Sequence, residues 1–228
     1  MTIGHIKRAR APEAKSERRA AIITAAASLV RQDPRASFSM EALAQAAGLA
    51  KGTVYLYFRT REEVLLAIHE RYVHQLFDAF EAVLDAPDAD ASKVLAAGIR
   101  YHRERPESYA LAGNCRNLME SKVGVEAAVA FKLLLGPRIV SIGSRVEALI
   151  PGIAPGEGAA LLLNSYALII GLWQQADTPE RLRVAMERPE LAMFRLDFER
   201  QLAGALADLW DGAARRGEAA ARRVSGRN

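Results

Sequence analysis

At 228 residues, half of them hydrophobic, the chain is long enough for one sizeable core or two modest domains. Its single cysteine, Cys115, excludes an intramolecular disulfide framework and fits a reducing cytosol, and its most apolar run, 159–173, is shorter than the roughly 20 residues of a bilayer span. The net charge of +4 is uneven: residues 1–75 hold 12 Lys and Arg against 7 acids, leaving −1 for the remaining 153, so the front end suits a polyanion such as nucleic acid.

Residues 1–15 are basic but lack the apolar core of an export signal, and are expected to be a disordered arm on a cytoplasmic protein. Beyond them nearly every segment reads at helical period, with no sustained strand-like alternation, so the fold class is all-α. A first helix is expected from Ser16 as N-cap, with Ile22, Ile23, Ala26, Leu29 and Val30 on one face, ending before Asp33-Pro34. Ser39 caps a short second helix carrying Met40, Leu43, Ala44 and Ala47, and Gly48 ends it in a left-handed conformation. A third short helix follows over 50–57. Thr60 caps a fourth, acidic in its first turn at Glu62 and Glu63, which runs to about residue 85 as a strut. Further helices are expected at 92–105, 106–120, 123–149, 158–175 and 188–212, with a flexible basic tail at 213–228.

Residues 39–58 therefore read as helix, glycine turn, helix, the spacing of a helix-turn-helix, whose second helix lies in the major groove. Val54 and Phe58 point inward towards Leu43 and Leu49. Lys51, Thr53, Tyr55, Leu56 and Tyr57 are left for the outer face. Lys51 and the free helix-start N–H groups suit phosphate, while Thr53 and Tyr55 carry hydroxyls for the backbone. Leu56 and Tyr57 suit base edges or thymine methyls, and Arg61 reaches the flanking strand. Gly52 lets the backbone come close to DNA, at a helix-propensity cost of about 1 kcal/mol. The alternative is a half-buried aromatic lid with a solvated lysine.

The run FSMEALAQAAGLAKGTVYLYFRTREEVL, with the helix from Ser16 before it, resembles the N-terminal domain of the tetracycline-repressor-like (TetR/AcrR) transcription regulators. The resemblance lies in the cap Ser39, the pair Leu43-Ala44, the run from Ala47 to Thr53, and Tyr55-Leu56-Tyr57-Phe58 followed by Arg59-Thr60-Arg61. It implies that Ser39, Lys51, Thr53, Tyr55 and Arg61 contact phosphate, and that Gly52, Leu56 and Tyr57 sit where operator sequence is read. Ala50 departs from the family's frequent serine and removes a capping hydroxyl.

The resemblance further implies a helix-turn-helix domain at 16–62 and a ligand-sensing, dimerising helical domain at 63–212. It makes double-stranded operator DNA, a small-molecule effector and a second copy of the chain the expected partners. The apolar stripe Leu191, Phe194, Phe198, Leu202, Leu206 and Leu209, with Leu161 and Trp173 on the preceding helix, is the expected dimer interface; the alternative is a monomer core using both faces. Tyr101, Tyr109, Asn114, Asn117, Phe131 and Asn164 are candidates for a pocket with polar anchors. His102 is expected to be exposed.

No catalytic motif, cofactor fingerprint or metal-ligand spacing appears; the histidines at 5, 69, 74 and 102 are scattered. The expectation is a regulator and not an enzyme, needing no cofactor. A helical adaptor touching DNA only nonspecifically is the alternative.

Overall fold

In the computed structural model the described residues are 4–32, 38–121 and 123–225, with side chains described from residue 13 onwards except at 116–121, 220–221 and 224–225. They form α-helices and short 3-10 turns and no strand: α1 (Gly4–Gln32), α2 (Met40–Ala46), α3 (Lys51–Tyr55), α4 (Arg61–Leu84), α5 (Ala91–Glu104), α6 (Glu107–Ser121), α7 (Val125–Leu149), α8 (Glu157–Ala176) and α9 (Phe198–Ser225). Three 3-10 turns, Glu180–Leu182, Ala185–Glu187 and Pro189–Phe194, separate α8 from α9.

Two compact units divide the chain: 1–71 with 114–124, and 72–113 with 125–228. The first turns of α4 belong to the first unit, where Val64 and Ile68 are fully buried. Both α4 and α6 supply residues to each unit.

The first unit has its core where the periodicity puts it. Ile22, Ile23, Ala26 and Val30 of α1 are buried, as are Leu43 and Ala44 of α2 and Val54 and Phe58 around α3. Burying such side chains contributes roughly 1.5–3 kcal/mol each, which outweighs the weak intrinsic stability of helices only five and seven residues long. α1 begins at Gly4, so Ser16 lies inside it and caps nothing. The stretch around Ser16 is rich in Ala, Glu, Lys and Arg, all strong helix formers, and no residue there compels a start.

In the second unit α7 packs on α8, α8 on α9, and α5 on α9. The α7–α8 crossing depends on two glycines. A Cβ at Gly158 would stand 2.1 Å from the Gly143 carbonyl oxygen, and one at Gly143 would stand 2.4 Å from the Ala159 nitrogen. The Glu147 carboxylate accepts the Gly156 and Gly158 N–H groups at 2.7 and 2.9 Å, satisfying donors that the start of α8 leaves open. Arg138 of α7 fixes α4: its guanidinium donates to both Glu81 oxygens at 3.2 and 2.7 Å and to Asp78 at 2.7 Å. Arg145 repeats the contact on Asp85 at 2.6 Å.

Two helix ends differ from expectation. The stripe expected to run unbroken from residue 188 is split, because Leu191 and Phe194 lie in a 3-10 turn and α9 starts only after Asp197, whose carboxylate accepts the Arg200 N–H at 3.2 Å. The tail expected to be flexible from residue 213 continues as helix to Ser225. Ala213 is buried there, and Gly217 presses so close to the 151–153 backbone that a Cβ would stand 2.4 Å from the Pro151 oxygen.

Candidate nucleic-acid interface

Local chemistry defines each segment around α3. The Ser39 hydroxyl accepts the Ala42 N–H at 3.0 Å and so starts α2. Gly48, at φ +65°, ends it in the left-handed region that favours glycine. α3 starts on Ala50, which offers no side-chain cap, as its missing hydroxyl requires. One further turn follows, with the Phe58 N–H donating to the Val54 carbonyl at 3.0 Å. The Thr60 hydroxyl then accepts the Glu63 N–H at 3.1 Å while the Glu63 carboxylate accepts the Arg59 N–H at 2.7 Å, a reciprocal cap for α4.

Val54 is 0% and Phe58 3% exposed, so both face the core, and the Arg19 guanidinium sits 5.2 Å from the Phe58 ring centroid. That leaves the opposite face for a partner. Leu56 is 81% and Tyr55 43% exposed; Ser39, Lys51 and Gly52 are exposed, and Thr53, Tyr57 and Arg61 are half-buried. A Cβ added to Gly52 would meet nothing within 4 Å, so no internal contact requires glycine there. Arg61 lies 3.4 Å from the Glu62 carboxylate. Lys51 is ion-paired with Glu41 of α2, and this hydrogen bond raises the ammonium above its ordinary pKa. The Glu41 contact was not foreseen, since the two residues stand ten apart on different helices.

Of the candidate pocket residues, Tyr101, Tyr109, Phe131 and Asn164 belong to the second unit. Tyr101 is buried, donating to the Tyr72 carbonyl at 2.8 Å and the Gln75 amide oxygen at 3.3 Å, with the Arg105 guanidinium 4.6 Å from its ring centroid. It lines an open cleft of about 340 Å³ together with Gln75, Asp78, Ala79, Ala97, Arg100, Glu104 and Arg105, a lining half of which is charged. Tyr109 is stacked 5.1 Å from His102 and edge-on 4.7 Å from Phe198, and burial pushes its hydroxyl up to about 12. Phe131 is buried, Asn114 is exposed, and the Asn117 side chain lies outside the described residues. Asn164 is exposed.

His102 corrects its expectation as well. It is 7% exposed, its Nδ1 lies 2.8 Å from the Ser108 hydroxyl, and burial lowers its pKa to about 4. Three of the expected dimer leucines, Leu161, Leu202 and Leu206, are no more than 3% exposed in the single chain. Phe198 and Trp173 pack partly against the cluster of Tyr109, Ile169, Leu202 and Leu206. Leu191 and Leu209 are half-buried and Phe194 is exposed.

Residues 22–68 match the model described as "Bacterial regulatory proteins, tetR family", and residues 70–217 match "Tetracyclin repressor-like, C-terminal domain". The chain belongs to the tetR family. It is thus a tetR-family transcriptional regulator, from a family of regulators and not of enzymes. Among relatives, the HTH-type transcriptional regulator EthR of Mycobacterium tuberculosis is 34% identical over 84 residues, 36% of this chain and 39% of that protein. An uncharacterized HTH-type transcriptional regulator of Haemophilus influenzae is 35% identical over 81 residues, 36% of this chain and 41% of that protein. This chain therefore spans about two fifths of the length of the curated relatives it matches. The structure of a possible TetR family transcriptional regulator from Streptomyces coelicolor A3(2) covers 85% of this chain and 97% of its own, at 22% identity and TM-score 0.53, a likeness of fold. No described helix of this tetR-family chain is long and apolar enough to cross a membrane.

Proposed function

We propose that this regulator is a ligand-responsive homodimeric repressor that presents two copies of α3 to successive major grooves of a pseudo-palindromic operator. The observation that carries the reading is the outer surface of α3 and its following turn. Leu56 is 81% exposed beside Tyr55, Tyr57 and Thr53, while Val54 beneath it has no exposure. A leucine left in water beside hydroxyls and a cation is unfavourable for the isolated chain and favourable against thymine methyls and phosphates. Gly52, unconstrained from within, supports close approach of DNA to the backbone. Ser39, Lys51, Thr53, Tyr55 and Arg61 are the proposed phosphate contacts, and Gly52, Leu56 and Tyr57 the proposed readers.

The second copy is proposed to meet the outer face of α8, where Ala160, Leu163, Asn164 and Ala167 are exposed at helical spacing, instead of the leucines consumed by the protomer core. The effector, a small apolar or amphipathic molecule, is proposed to act on the second unit and to shift α4. Half-sites one turn apart need readers roughly 34–36 Å apart, so a displacement of a few ångströms is enough to weaken binding. Coupling is reciprocal, so operator DNA must weaken effector binding by the same factor.

The test is binding, at one fixed salt concentration, to DNA from upstream of the protein's own gene and to a scrambled fragment, with Leu56→Ala alongside. Selective binding of two chains per native fragment, lost with Leu56→Ala, supports the reading. Equal weak binding of both fragments by the wild type, unchanged by Leu56→Ala, contradicts it and favours an adaptor with nonspecific DNA contact.

A further inference from the structure

α3 starts under two handicaps. Its N-cap, Ala50, gives no side-chain hydrogen bond, and its first turn contains no acid; its first residue is instead a lysine, set at the positive end of the helix. Among the described residues that lysine's ammonium is ion-paired with Glu41, which stands in the first turn of α2 and reaches across the glycine turn. Both side chains are open to water, Lys51 at 50% and Glu41 at 66% exposure, so nothing about burial forces them together or prevents their separation. A phosphate arriving at the start of α3 must therefore take Lys51 from a carboxylate already holding it.

We propose that Glu41 is an internal rival to the DNA backbone: it holds Lys51 in the free protein and sets the affinity and salt dependence of DNA binding without choosing sequence. This inference rests on the DNA-binding reading of Lys51 above. Its consequence follows from ion exchange. A lysine that moves from solvent to phosphate releases a counterion from DNA. A lysine that moves from Glu41 to phosphate must also break an exposed ion pair, which costs less as salt screens it, so part of the salt dependence is offset. With Glu41 present, Lys51 contributes less attraction and a shallower salt dependence than an unpaired lysine. Without it, the same contact carries the full salt dependence of an ordinary phosphate contact. The price of the pair is a weaker grip on all DNA alike, because phosphates are the same at every sequence.

The experiment is a double-mutant cycle of Glu41→Gln and Lys51→Gln, with binding to native upstream and scrambled DNA measured across a series of salt concentrations. Glu41→Gln is expected to raise affinity for both fragments by roughly two- to five-fold per protomer, the range of an exposed ion pair. It should also steepen the slope of log K against log salt, by at most about 0.9 per protomer. Lys51→Gln should weaken binding to both fragments with a change of slope smaller than the roughly 0.9 of an unpaired lysine, and adding Glu41→Gln to it should do little more. An unchanged slope in Glu41→Gln, or an identical gain in the Lys51→Gln background, overturns the proposal, the second by showing that the carboxylate acts through general repulsion of DNA. If Lys51→Gln binds as tightly as wild type, the DNA reading of Lys51 fails, and this inference with it. Circular dichroism of the variants checks that α2 and α3 remain folded.

Discussion

α9 and the segment 48–58 use the same kinds of side chain to opposite ends. On α9, Leu202, Leu206 and Trp210 recur every fourth residue and none is more than 5% exposed. On the short segment only Val54 and Phe58, also four apart, are buried, and Leu56 between them is 81% exposed. A helix of 28 residues has neighbours along most of its length and can bury a whole stripe; one of five residues, with the turn after it, buries a single pair. What remains apolar on the short helix is surface, and it is surface placed among hydroxyls, a glycine and a cation. Apolar residues on α9 therefore bear on stability, and those on α3 bear on recognition.

The largest test of that contrast is Leu206→Ala. It removes a side chain 3% exposed in the Tyr109–Leu202 cluster and is expected to cost about 2–5 kcal/mol in chemical denaturation. Leu56→Ala should change the same measurement by less than about 0.5 kcal/mol. A small Leu206→Ala effect would return that leucine to the list of interface candidates.

Next in size is a pH effect confined to the second unit. His102 is held near pKa 4 by burial, against 6.5 for the free side chain, so the unfolded chain takes up a proton that the folded chain refuses. The associated stability is fully present above pH 6.5 and is lost as pH falls from there towards 4, on the order of 3 kcal/mol. Denaturation of wild type and His102→Gln at several pH values checks it: the stability difference between the two should vary over that window and be level above it.

Tyr57→Ala is expected to weaken binding to native DNA by about 1–3 kcal/mol and to affect scrambled DNA little, because a base-edge contact is sequence-dependent and a phosphate contact is not. Equal weakening on both fragments would move Tyr57 to the phosphate contacts. The smallest effect belongs to Gly52→Ala. With nothing within 4 Å of the new methyl group, it should stabilise the fold by up to about 1 kcal/mol while weakening DNA binding. A variant both more stable and tighter-binding would remove the argument for close backbone approach.

The first unit was legible because its signals are local. Ser39, Gly48 and Thr60 act within a turn of themselves, and the buried faces of α1 and α2 follow helical period. Periodicity failed where it could not see a break: Leu191 and Phe194 fit the stripe of α9 by spacing, but Pro189 opens a 3-10 turn and Asp197 starts a new helix. It also could not say which neighbour an apolar face meets, the core of its own chain or a second copy. His102 looked exposed between two arginines because the hydroxyl and ring that enclose it, Ser108 and Tyr109, lie beyond the Pro106 corner. Glu41 and Lys51 meet only through the fold of the glycine turn, and no local rule pairs residues ten apart.

The central claim, that the outer face of α3 meets DNA, is tested most directly by amide hydrogen exchange across residues 50–58 with and without the upstream fragment. The account predicts slower exchange there with native DNA, and much less protection with scrambled DNA at the same salt. Exchange across 50–58 that stays unchanged while the protein is demonstrably bound to the native fragment would contradict it.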